Sequence, residues 1–111
     1  MLYNFPATTG GIDLSALQIE SIAKRSDNVC GIKLTCANVG KMTRVHATVS
    51  SADFRQVYPR RNGADNFLLI NGVIDYMFAS MGCGSDGSIS GLTLLAPVSI
   101  LAPLVHLCLC I

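Results

Sequence analysis

The sequence predicts an α/β domain built on parallel strands, and three observations carry that prediction. Short apolar segments alternate with segments of helical periodicity, in the order strand, helix, strand, helix, strand, helix, strand. The run Phe67-Leu68-Leu69-Ile70 shows no polar alternation, as expected of a strand covered on both sides. Glycine, proline, serine and asparagine collect between the segments, where right-handed crossovers need turns. The 111 residues fit one domain. About three and a half strand–helix units would build an open flavodoxin-like sheet, whereas a closed eight-stranded barrel needs roughly 250 residues.

Leu2 to Phe5 is a short apolar strand stopped by Pro6 and followed by the loop Ala7-Thr8-Thr9-Gly10-Gly11. A helix follows from Asp13 to about Arg25. Ser15 and Gln18 have the spacing of a capping box, Lys24 and Arg25 suit a helix C-terminus, and Leu14, Leu17, Ile22 and Ala23 fall near one face. After the turn Ser26-Asp27-Asn28, Val29 to Leu34 forms the second strand. Asn38 caps a second helix, with Val39, Met42, Val45, His46 and Val49 at helical spacing. Residues 50 to 66 are polar and irregular, with one short helical turn near Asp53 to Val57. Phe67 to Ile70 is the third strand, Val73 to Met81 the third helix, Gly82 to Gly87 a glycine-rich turn, and Ser88 opens the fourth strand.

Composition narrows the functional classes. Half of the residues are hydrophobic, 14% are charged, and the mean hydropathy is +0.48. Such a chain is not disordered. Eight basic residues against seven acidic ones leave a formal charge of +1, which gives no electrostatic case for nucleic acid or anionic lipid. The five cysteines, Cys30, Cys36, Cys83, Cys108 and Cys110, are odd in number and lack zinc-site spacing, so buried thiols in a reducing compartment are expected. The start lacks a signal peptide, which favours the cytoplasm, with mitochondria left open. Because the chain opens inside a strand, an upstream part is expected. Residues 89 to 111 are uncharged and long enough to span a bilayer, but Pro97, Pro103 and the lack of basic flanks argue for an apolar tail instead.

Lys33 stands out. It sits in Val29-Cys30-Gly31-Ile32-Lys33-Leu34-Thr35-Cys36, where alternation places it beside the small residues Gly31 and Thr35 and opposite Ile32 and Leu34. A buried ammonium loses hydration, and desolvation favours the neutral amine, a nucleophile for carbonyl carbon. The alternative is an edge-strand lysine whose head reaches water.

Two motifs add to this. Tyr3-Asn4-Phe5-Pro6-Ala7-Thr8-Thr9-Gly10 and, about thirty residues on, Gly31-Ile32-Lys33 occur in that order. Together they resemble the dihydrodipicolinate synthase and N-acetylneuraminate lyase family, class I aldolases and lyases on a (β/α)8 barrel. The run Lys33-Leu34-Thr35-Cys36-Ala37-Asn38-Val39-Gly40-Lys41 looks most like fungal members, and Gly84 to Pro97 resembles the eighth strand and its turn. The resemblance implies a partial barrel, strands five to eight over residues 1–97, with a divergent apolar tail at 98–111. It also implies that the first four strands, with their threonine-rich loop, lie elsewhere.

By the same resemblance Lys33 would form an imine with pyruvate or a 2-oxo acid, with an aldehyde as the second partner. Tyr3 would relay protons, Gly72 and Ile89 would line the pyruvyl pocket, and no cofactor would be needed. Thr8 stands where true dihydrodipicolinate synthases carry a substrate-binding arginine, and Leu34 where bacterial synthases often carry an acid. The implied reaction is therefore that of a 4-hydroxy-2-oxoglutarate or 2-keto-3-deoxy sugar acid aldolase. Full-length members are expected to be homo-oligomers. A half-barrel alone, with open edges, is expected to self-associate or aggregate.

Overall fold

A computed structural model describes residues 1–98 apart from 62, 64 and 65. The strands are β1 (Leu2–Asn4), β2 (Gly31–Leu34), β3 (Leu68–Asn71) and β4 (Gly87–Ser88). Helix α1 (Ala16–Arg25) joins β1 to β2, α2 (Val39–Val49) and α3 (Ala52–Val57) join β2 to β3, and α4 (Met77–Gly82) leads into β4. The strands form one parallel sheet in the order β1-β2-β3-β4. This order excludes the flavodoxin-like alternative. In such a sheet the chain reverses its direction of winding and helices cover both faces. Here each strand lies beside its predecessor, so right-handed crossovers carry successive helices to the same face.

The core lies between that helical layer and one side of the sheet. Ile32, Leu34 and Leu69 point into it and meet Ile19 and Ala23 of α1 and Met42, Val45 and Val49 of α2. The other side is less covered. Lys33, Leu68 and Ile70 are only half-buried, so β3 alternates where continuous burial is predicted. Its apolar character serves a face that these residues do not close.

Local chemistry sets the helix starts. The Ser15 hydroxyl accepts from the Gln18 amide, and the Gln18 side chain accepts from Ser15 N at 2.8 Å, completing the capping box. Asn38 caps α2 through Lys41 N at 2.9 Å, and Ser51 caps α3 through Phe54 N at 3.2 Å. Of the expected face of α1, Ala23 is buried and Leu17 is not. The buried stripe is Ala16, Ile19 and Ala23, while Leu17 is 77% exposed. At about 100° per residue, Leu17 turns away from the stripe that Ile19 occupies.

Residues 50 to 66 hold more order than their polarity suggests. Arg60 is buried there, and its guanidinium donates to the carbonyls of Ala23 (2.8 Å), Ser26 (2.8 Å), Val29 (3.1 Å) and Tyr58 (2.7 Å). It thereby satisfies the open carbonyls where α1 ends and ties them to the approach to β2. The apolar run that the sequence offers as a membrane span extends past residue 98, outside the described residues. Among the described residues, no helix is long and apolar enough to cross a membrane.

Candidate active site

Strand pairing brings the two motifs together. Tyr3 of β1 stands opposite Lys33 of β2 in the parallel register, and both project from the side of the sheet away from the helices. The Lys33 ammonium lies 3.4 Å from the Tyr3 hydroxyl and 4.4 Å from the centre of its ring. Lys33 is half-buried and Tyr3 is 53% exposed, so the lysine is less enclosed than its strand position predicts. The reason is the open face. Neighbouring strands and Gly72 shield its stem, while among the described residues no second layer covers its head.

Gly72, Thr35 and Ile89 lie on or beside the same side of the sheet. An added Cβ at Gly72 would lie 2.0 Å from the Thr35 hydroxyl oxygen and 3.1 Å from Lys33 Cε, so only glycine lets these side chains occupy that space. The turn holding Gly72 is shaped by buried Asn71, which donates to Val73 O at 2.8 Å and accepts from Val73 N at 2.9 Å. Ile89 follows β4, donates its amide to Asn71 O at 2.9 Å, and is 56% exposed. Gly87 pairs with Ile70, which pairs with Lys33, so alternation puts Ile89 on the lysine side. Thr8 is not brought in by a contact with these groups. It ends the 3-10 turn Pro6–Thr8, is exposed, and its hydroxyl donates to Phe5 O at 3.1 Å.

Gly31 plays a different part from the one its size suggests. It does not open space beside Lys33, since a Cβ there would meet Leu68 O at 2.4 Å. It lets β2 and β3 pack closely.

The ends of the first two strands are held from the helical side. Asn4 donates to Asp13 at 2.8 Å and accepts from Leu14 N at 3.0 Å, and the same Asp13 oxygen pairs with the buried ammonium of Lys41. Lys41 and then Asn4 keep the Asp13 carboxyl below its usual range. Tyr76 fixes the segment after β2 by donating to Leu34 O at 2.9 Å. Burial first, and then Cys36, push its phenol up to about 12. The Tyr3 phenol is held below its ordinary range, chiefly by the Thr35 hydroxyl and further by Lys33, against an opposing effect of burial. Sequence reasoning missed Asp13, Lys41 and Tyr76, whose partners lie far along the chain.

The same segment holds one strained residue. Ala37 has φ +52°, in the left-handed region. That conformation costs an alanine about 1–2 kcal/mol, against about 0.4–1 kcal/mol of extra unfolded-chain entropy for glycine. Ala37→Gly is therefore expected to stabilise the fold by about 0.5–1 kcal/mol, read as a higher urea midpoint at unchanged slope. A lower midpoint would contradict the strain.

Parallel strands in sequential order, helices along one face and a lysine–tyrosine pair on the other define the wall of a (β/α) barrel. The family model of the dihydrodipicolinate synthetase family matches residues 1–103, and the chain belongs to that family. It is 35% identical over 100 residues to the "Putative 4-hydroxy-2-oxoglutarate aldolase, mitochondrial" of Coccidioides immitis, covering 90% of this chain and 28% of that protein. With the L-threo-3-deoxy-hexylosonate aldolase of Hypocrea jecorina it shares 31% identity, over 82% of this chain and 27% of the relative. Among solved structures, YagE of Escherichia coli K12, a prophage protein of the same family in complex with pyruvate, superposes with a TM-score of 0.66 at 31% identity. That match covers 87% of this chain and 28% of YagE. The chain thus spans under a third of the length of these relatives.

Proposed function

We propose that this chain supplies the lysine-bearing wall of a class I aldolase barrel, with residues 1–97 forming strands five to eight. The observation that carries the reading is the Lys33 amine 3.4 Å from the Tyr3 hydroxyl on directly paired strands. Lys33, as the free amine, attacks the ketone of pyruvate or of a 2-oxo acid that yields it, and loss of water leaves a protonated imine. That cation withdraws electrons from the adjacent carbon, so the neighbouring carbon–carbon bond breaks or forms through an enamine. Tyr3 is the general acid and base for these proton movements. Gly72 and Ile89 line the pyruvyl end, and Thr8 faces the aldehyde portion as the loop meets the rest of the barrel. The names of the relatives favour 4-hydroxy-2-oxoglutarate or a 2-keto-3-deoxy sugar acid as substrate. Mitochondria are the favoured compartment, because two fungal relatives carry that location in their names.

A second reading, a non-catalytic chain that associates with other copies or relatives, is favoured by the half-covered inner face of the sheet. Incubation with pyruvate and borohydride separates the two. The expected result is a reduced pyruvyl adduct on the peptide containing Lys33, lost in Lys33→Arg. An unmodified Lys33 in the intact chain, with pyruvate in large excess, overturns the catalytic reading.

A further inference from the structure

The Thr35 hydroxyl is buried, and its oxygen has no hydrogen-bond partner among the described residues. A buried hydroxyl without a partner costs roughly 1–3 kcal/mol, so its retention calls for a use. Its surroundings are specific. Thr35 follows β2 two residues after Lys33 and its amide donates to Asn4 O at 2.9 Å, which holds it against the end of the strand bearing Tyr3. Gly72 leaves its oxygen room on the other side, next to Lys33 Cε. Tyr3 pairs with Lys33 across the parallel register, and alternation puts Thr35 on the same side of the sheet as Lys33, so the hydroxyl shares the face from which the Tyr3 phenol projects and favours its ionised form.

We propose that Thr35 is a positioning residue for Tyr3, its hydroxyl donating a hydrogen bond to the Tyr3 oxygen once that phenol has released its proton. The inference rests on the Schiff-base reading for its place in the reaction. When the neutral carbinolamine on Lys33 collapses, Tyr3 gives its proton to the departing hydroxyl. The products are water, the iminium cation and a tyrosinate. Thr35 keeps its own proton and holds the tyrosinate by hydrogen bonding. The iminium nitrogen supplies the opposite charge, in the place where the Lys33 ammonium now stands. Lys33 is the charged group that acts on the phenol.

The test is spectrophotometric titration of the chain's three tyrosines, with Tyr3→Phe identifying the Tyr3 step. Thr35→Val, nearly isosteric, is expected to move that step to higher pH, and Thr35→Ser to restore it. Thr35→Ala removes bulk rather than adding any and gives the same readout should valine disturb packing. Under pyruvate and borohydride, Thr35→Val is expected to form the Lys33 adduct roughly tenfold more slowly, the loss of one hydrogen bond to a charged group. A Tyr3 step at the same pH in the wild-type, valine and alanine chains overturns the proposal. Failure of the wild-type chain to trap pyruvate would instead remove the Schiff-base reading, and the titration would still decide whether Thr35 acts on Tyr3.

Discussion

Gly31→Ala is expected to cost about 3 kcal/mol or more, and to do so without touching any reactive group. The added methyl would sit 2.4 Å from Leu68 O and 2.9 Å from Leu68 N, both backbone atoms of the adjacent strand. A flexible side chain could rotate aside, but a strand can only move away, weakening the ladder that carries Gly31↔Leu68 through Leu34↔Asn71. Overpacking a core commonly costs about 1–3 kcal/mol, and a rigid backbone neighbour places this site at the upper end. Gly82→Ala is the matched control, because nothing lies within 4 Å of its added Cβ. It is expected to change stability by less than about 0.5 kcal/mol. Urea unfolding of both variants checks the pair, and equal midpoints would refute the close approach of β2 and β3.

Arg60→Met is expected to be comparably severe, at about 3 kcal/mol. Methionine keeps part of the apolar stem but strands the carbonyls of Ala23, Ser26, Val29 and Tyr58, which now share one guanidinium. Each buried acceptor left unpaired costs roughly 1–3 kcal/mol, and water entering at the edge of the site recovers part of it. Arg60→Lys should fall between, since an ammonium lacks the planar fork that reaches several carbonyls at once. The guanidinium also lies 5.9 Å and 5.8 Å from the ring centres of Phe54 and Phe67. Thermal and urea unfolding measure the series. A methionine variant within about 1 kcal/mol of wild type would show the carbonyls to be satisfied without Arg60.

These two positions mark the boundary of what the sequence reveals. Order and type of the strands and main helices were legible because they rest on local signals: the Ser15–Gln18 capping box, the Asn38 cap, and the alternation that sets Lys33 against Ile32 and Leu34. The Tyr3–Lys33 pair was legible through motif resemblance, and parallel register then supplied its geometry. Arg60, Lys41 and Asp13 were not, because Lys41 meets Asp13 across 28 residues and Arg60 reaches Ala23 across 37, and nothing in the local sequence marks which polar side chain turns inward. Leu17 was misread because it is apolar, yet it stands two positions from Ile19 and so on the opposite side of α1. The half-open face of β3 was misread because an apolar run reports what a strand was built to meet, not what meets it in this length of chain.

The Asn4 clamp has a consequence for fidelity. A strand of three residues has few ladder bonds with which to resist sliding, and a shift of one position would reverse every side chain of β1. Tyr3 would then turn toward the helices, and Lys33 would lose its contact with the phenol while the sheet stayed paired. Asp13 and Leu14 grip Asn4 from the far side, with Lys41 anchoring Asp13, and make such slippage expensive, so alignment of Tyr3 with Lys33 is policed by residues that never face them.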